Sequence, residues 1–217
     1  MLHAANDARF WDQVARKYAT DTIKDVVGYE RTVERTRDLL EITDRVLEIG
    51  CGTGTTALKL APSVAGIVAC DVSSEMIAIA REKATEQSCR NAAFFVEDAK
   101  GPQGHDGAYD AILAFNLLHL IADQGPMLRS VHRRLRPGGL FISKTPCLGE
   151  MNPLLRVAVP VATAIGKAPF VSFFSALDLE AAIATAGFTI GARERHGSGG
   201  KDARIFIVAK KPDVKNS

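Results

Sequence analysis

The chain has 217 residues, enough for one α/β domain with a small addition, and its 47% apolar and 24% charged residues are those of an ordinary globular protein. A formal charge of +2 is too small for a nucleic-acid-binding surface, so no nucleic-acid partner is expected. The four cysteines (Cys51, Cys70, Cys89 and Cys147) include no C-x-x-C pair, which argues against a zinc site or a disulfide framework and fits reduced thiols in a cytoplasmic protein. Met1 to Phe10 lacks the apolar core of a signal peptide, and no segment reaches the roughly 18 apolar residues of a membrane span.

In chain order, the pattern predicts amphipathic helices over Ala4–Ala19 and Val26–Ile42. An apolar strand over Arg45–Ile49 then runs into glycines, and a helix over Thr55–Ala61 stops at Pro62. Gly66–Asp71 reads as a second strand and Glu75–Thr85 as a helix with Ser73 as N-cap. Ala93–Val96 and Tyr109–Phe115 read as the third and fourth strands. A helix over Pro126–Leu135 leads through the turn Arg136-Pro137-Gly138-Gly139 to a fifth strand, Leu140–Lys144. This alternation predicts right-handed βαβ units and a parallel sheet covered on both faces. The rhythm lapses at Lys100–Gly107, too short for a crossover helix, and again at Pro146–Phe174, a long apolar excursion. A helix over Ala176–Ala186 and two strands, Phe188–Ala192 and Arg204–Ala209, follow, joined across Gly197–Gly200 as an antiparallel hairpin. Lys210–Ser217 reads as a frayed tail.

The most informative segment is Glu48-Ile49-Gly50-Cys51-Gly52-Thr53-Gly54, between a strand and a helix. Glycines at alternate positions let the backbone turn tightly and approach a ligand without a Cβ clash. Asp71 ends the next strand, near the ~20-residue offset of a carboxylate that grips ribose hydroxyls. The spacing G-x-G-x-G differs from the G-x-G-x-x-G of dinucleotide sites, which weakens a nicotinamide-dependent oxidoreductase reading, and no Gly-Lys-Ser/Thr follows to make a phosphate loop. Glu48, two residues ahead of the first glycine, suits a cationic ligand better than a diphosphate.

Val46–Gly54 resembles motif I of the class I S-adenosylmethionine-dependent methyltransferases. Asp71–Met76, Glu97-Asp98-Ala99, Asp110–His119 and Leu135–Leu140 are similar to further motifs of that family, in the same order. The resemblance implies a Rossmann-like seven-stranded sheet of order 3-2-1-4-5-7-6 with strand seven antiparallel. It implies S-adenosylmethionine as cofactor and S-adenosylhomocysteine as product. It places Glu48 on the methionine ammonium, Gly50, Cys51, Gly52, Gly54 and Thr55 in the loop around the ligand, and Asp71 on the ribose. Val72 and Met76 fall beside the adenine, with Asp98 and Ala99 at its amino group, and Asn116 and Leu117 near the transferred methyl. Tyr18 and Tyr29, on N-terminal helices that lie across the cofactor in relatives, are lid residues.

Within this frame residues 1–217 form a single methyltransferase domain: helices over 1–42, a cofactor-binding core over 45–145, a lid excursion over 146–175, and a C-terminal helix and hairpin over 176–210. His119 has two readings, a packing residue and a general base for an acceptor that must lose a proton, while Asn116 positions. The excursion carries Leu154, Leu155, Val157, Val161, Ile165, Phe170 and Phe174 against only Glu150, Arg156 and Lys167 as charges. That predicts a small apolar acceptor such as a quinone, a phenol or a lipid-like molecule. A packing surface, a dimer surface or peripheral membrane contact through 146–175 are its other readings. A non-catalytic protein that binds the same cofactor stands as the rival class.

Overall fold

The computed structural model describes residues 2–99, 106–199 and 202–213. The lapse at 100–107 therefore falls mostly outside the described residues, as do one glycine of the hairpin connection and residues 214–217 of the tail. The elements are α1 (Leu2–Thr20), α2 (Val26–Arg37), β1 (Arg45–Ile49), α3 (Thr55–Leu60), β2 (Gly66–Asp71), α4 (Ser74–Glu86), β3 (Ala92–Val96), β4 (Tyr109–Phe115), α5 (Gln124–Arg134), β5 (Leu135–Pro146), α6 (Leu155–Ala164), α7 (Ala176–Thr185), β6 (Thr189–Glu194) and β7 (Arg204–Lys210). Among the described residues the strands form one sheet of order β3-β2-β1-β4-β5-β7-β6. β1 to β5 are parallel, while β7 runs antiparallel between β5 and β6. This is the Rossmann-like order that the sequence motifs imply.

The sheet has the apolar run of strands covered on both faces. On one face α5 and α7 bury Met127, Leu128, Val131, Leu179 and Ile183 against Ile112, Phe141 and Ile207. On the other, α3 and α4 bury Leu58, Leu60, Ile77 and Ala80 against Val46, Ile67 and Leu113. Each such large side chain contributes roughly 1.5–3 kcal/mol. Outside α4 lies α1, joined to it through Ala15, Met76 and Ile79 with Trp11 and Ala19 alongside. The Asp12 carboxylate reinforces that joint: it accepts from Ser73 Oγ at 2.6 Å and from the Glu75 N–H at 3.1 Å, at the N-terminus of α4.

Three sequence expectations need correction. α2 ends at Arg37 rather than Ile42: Leu39 and Leu40 turn back in tight i−3 hydrogen bonds and pack on the core, leaving Ile42 exposed. β5 begins at Leu135, because Leu135 pairs with Tyr109 before the register shifts and Leu140 pairs with Ala111. Arg136–Gly139 is thus a bulge within a strand rather than a turn before one, with Gly138 at φ +76°. Residues 210–213 are not frayed, since Lys211 exchanges backbone hydrogen bonds with Gly138 and Gly139 across that bulge. The apolar excursion carries the helix α6.

Candidate active site

In a parallel sheet the carboxyl ends of the strands open a crevice where the order reverses, here between β1 and β4. A cavity of about 1030 Å³ lies there, lined from α1, α2, the ends of β1 to β5, the loop after β4 and the segment before α7.

The glycine loop forms one wall. The Gly50 and Cys51 N–H groups both donate to the Cys70 carbonyl at the end of β2, which folds the loop back over the sheet. Gly50, Gly52 and Gly54 adopt φ of +70°, +53° and +74°, a left-handed conformation that L side chains rarely take. Their surroundings differ. A Cβ on Gly52 meets nothing closer than Tyr18 Cε1 at 4.0 Å, whereas one on Gly54 lies 2.7 Å from the Phe94 ring and 2.8 Å from Ala80 Cβ. Gly52 faces the cavity. Gly54 is not part of its lining and instead lets α3 start hard against β3 and α4.

Two carboxylates define the polarity of this end. Asp71 accepts from the Gly52 N–H at 2.9 Å through Oδ2 and from the Ser73 N–H at 3.0 Å through Oδ1, so it holds the loop while facing the cavity. Burial pushes its pKa up against those hydrogen bonds. Glu48 is 2% exposed. Burial pushes its pKa up to about 8, although the Ala57 N–H donates to it. Its Oε2 has no hydrogen-bond partner among the described residues, a costly arrangement for a buried oxygen unless a ligand completes it. The same burial holds the Cys51 thiol well above its ordinary range and so non-nucleophilic.

The remaining positions singled out in the sequence fall as follows. Thr55, Val72, Met76, Asp98, Ala99, Asn116, Leu117, Tyr18 and Tyr29 all line the same cavity. Tyr18 stands edge-on to Trp11, ring centroids 6.3 Å apart, and the two bring α1 across the glycine loop. The Tyr29 hydroxyl lies 3.3 Å from Thr56 Oγ1. Asn116 has φ +51°, its N–H donating to the Lys144 carbonyl at 2.7 Å. Asparagine tolerates that region better than most residues, and strained backbone at a cavity wall is a mark of a functional turn. His119 does not line the cavity. It is half-buried, with Nδ1 3.3 Å from Thr145 Oγ1 and its carbonyl accepting from the Ser172 N–H, and burial drives its pKa down to about 4. Its nearest polar neighbours are therefore β5 and the segment before α7.

A polar group at the β5 end of the cavity escaped the sequence reading. Lys144, 6% exposed, donates to Thr32 Oγ1 at 2.9 Å and lies 3.6 Å from Asp202. Arg204 donates to Asp202 at 2.7 Å and approaches Asp25 at 3.8 Å, and Asp25 also accepts from Ser198 Oγ at 2.7 Å. Thr32, Lys144, Asp25 and Arg204 all line the cavity. A charge at the C-terminal end of an otherwise apolar strand was the one available signal, at Lys144. At the glycine-loop end Lys83 was also missed. It donates to Thr53 and Thr55 hydroxyls at 2.9 and 3.1 Å and so braces the loop.

Comparison with known proteins bears on this site directly. Residues 46–139, from β1 through the bulge of β5, match the family model described as a methyltransferase domain. A demethylmenaquinone methyltransferase of Mycolicibacterium gilvum is 30% identical over 174 residues, 75% of this chain and 73% of that protein. A ubiquinone biosynthesis O-methyltransferase of Sodalis glossinidius is 31% identical over 94 residues, 43% of this chain but only 38% of that protein. The solved structure of an S-adenosylmethionine-dependent methyltransferase from Mesorhizobium loti superposes with a TM-score of 0.70 at 18% identity, over 85% of this chain and 98% of that one, which shows the shared fold.

Proposed function

This chain belongs to the class I S-adenosylmethionine-dependent methyltransferases, and we propose that it transfers a methyl group to a small lipophilic acceptor of the hydroquinone type, leaving S-adenosylhomocysteine. The observation that carries this reading is a single cavity with two unlike ends: buried acids and glycines under β1 and β2, apolar walls from Ile23, Leu120, Ile121, Pro169 and Phe170 beyond β4. Adjacent strands lie ~4.8 Å apart, so the ends of β3 to β5 span ~19 Å, room for a nucleoside and an acceptor side by side. The names of two relatives point to quinones as the acceptor class.

The donor set fits the cofactor. The unpartnered Glu48 Oε2 suits its ammonium, the open face of Gly52 admits close approach, and Asp71 retains acceptor capacity for ribose hydroxyls. Asp98 serves the adenine amino group, Val72 and Met76 the faces of the ring, and Asn116 and Leu117 the methyl end. When bound, S-adenosylmethionine supplies a methyl carbon activated by its sulfonium. The protein contributes alignment and exclusion of water, worth roughly 7–11 kcal/mol in favourable cases. Tyr18 and Trp11 cover the cofactor end, and Lys144 with Arg204 offers hydrogen-bond donors to an acceptor hydroxyl.

Calorimetric titration tests the cofactor half. S-adenosylmethionine and S-adenosylhomocysteine should bind and raise the melting temperature, and NADH should not. Silence from both at millimolar concentration, or binding of NADH in their place, ends the reading. Labelled methyl transfer to a reduced quinone lacking one ring methyl or one O-methyl tests the acceptor half. Tight cofactor binding with no turnover on any hydroquinone favours the non-catalytic alternative.

A further inference from the structure

We propose that the outer face of α6 is a membrane-docking surface, by which the chain rests on an anionic lipid bilayer beside the mouth of its cavity. The proposal deepens the lipophilic-acceptor reading and rests on it for the reason a bilayer would be visited. Leu154, Val157, Val161 and Ile165 follow one another at helical spacing and are 72%, 69%, 59% and 61% exposed. The opposite face, through Leu155, Val159 and Thr163, is the half-buried one, so the helix is apolar on both sides while only one is covered by its own chain. Those four side chains take no part in lining the cavity, contrary to a lid that simply closes over the acceptor.

The charge pattern selects the occupant. Over 146–175 the excursion holds Arg156 and Lys167 against Glu150 alone, and Glu150 is taken up by the Ala176 N–H at 2.6 Å and by Arg195, so the charge left on this segment is cationic and complements anionic headgroups. A second copy of the chain is a poorer fit. The face of a ten-residue helix, ~15 Å long, offers a fraction of the ~800 Å² per partner that a stable interface buries. The covered side of the helix ties it to the cavity: Thr163 Oγ1 donates to the Pro169 carbonyl at 2.9 Å, and Pro169 and Phe170 line the cavity wall. Elsewhere Ile23 lines the cavity and is 44% exposed, next in the chain to the exposed Val26 and Val27.

Sedimentation of the full chain with vesicles tests this, using phosphatidylcholine alone and phosphatidylcholine containing phosphatidylglycerol. The chain should bind the anionic vesicles, more weakly as salt rises. Arg156→Gln and Lys167→Gln should each cost about fivefold in partitioning. The variant carrying Leu154→Ser, Val157→Ser and Val161→Ser should lose roughly tenfold or more, with its circular dichroism and its affinity for S-adenosylhomocysteine unchanged. Absence of binding to either vesicle, binding indifferent to the triple substitution, or a self-association that the triple substitution abolishes overturns the proposal. Cofactor calorimetry on the same samples reads the methyltransferase assignment separately, so the two can fail independently.

Discussion

The two ends of the cavity are specified by opposite means. At the glycine-loop end nearly every contact is short, polar and directional: Asp71 against two backbone N–H groups, Lys83 against two threonines, three glycines in left-handed conformation. At the far end Ile23, Leu120, Ile121 and Phe170 supply apolar wall, with Lys144, Arg204, Asp25 and Thr32 among the polar residues set into it. Hydrogen bonds and φ angles select one ligand, whereas apolar area is non-directional and accepts many. One cofactor serving varied acceptors is what this division of labour permits.

The sharpest way to break the comparison lies within the loop. Gly54→Val should be the most damaging substitution, costing of the order of 3 kcal/mol or more, because strain at φ +74° adds to a clash with Phe94 and Ala80. Denaturant unfolding should show it. Gly52→Val, with the same sign of φ but open space above it, should cost only about 1–2 kcal/mol of stability yet abolish cofactor binding. Equal effects of the two on stability would remove the distinction between a packing glycine and an approach glycine.

Asp71→Ala should weaken cofactor binding roughly ten- to a hundredfold, the equivalent of about 1.5–3 kcal/mol. Asp71→Asn, which keeps one acceptor oxygen, should fall between. An affinity unchanged in both would refute the ribose assignment.

Glu48 makes a pH-dependent prediction. Its pKa is raised in the fold from an ordinary 4.5 to about 8. The stability contributed by the neutral buried carboxyl is therefore complete below about 4.5 and lost as pH rises to about 8. A cationic ligand favours the ionised form, so affinity for S-adenosylmethionine should rise between about pH 6 and pH 8 with release of a proton. Glu48→Gln should weaken binding and flatten both trends. Calorimetry in buffers of different ionisation enthalpy measures the proton directly, and its absence would remove Glu48 from the ammonium.

The smallest effect belongs to His119. Its pKa is depressed to about 4 from 6.5, so its contribution is complete above about 6.5 and lost as pH falls toward 4. His119→Asn should remove that acid limb from the stability profile while holding cofactor affinity and turnover within about twofold. A large, pH-dependent loss of turnover would restore the general base.

The cofactor end was legible because its signals are local. Glu48, the glycines and Asp71 sit at the ends of two strands whose apolar runs mark them, and those strands pair side by side, which brings their ends together. The β5 end was not legible. Lys144 meets Thr32 across 112 residues, and nothing within the span of strand five announces that partner. The bulge at Arg136–Gly139 likewise depends on Tyr109 and on Lys211, both distant in sequence.

From sequence alone the alternation of strands and helices and the glycine loop with its terminal acid were determined, because periodicity and glycine placement act over a few residues, while the strand order and the cofactor class came through the family resemblance that those motifs carry. Tertiary structure decided which of those residues face the cavity. It turned Gly54 into the core, left His119 out of the cavity lining, raised Glu48 to about 8 by burial, and left the α6 face uncovered. Burial and exposure are set by what the rest of the chain packs against a residue, and that is a sum over contacts no local pattern contains.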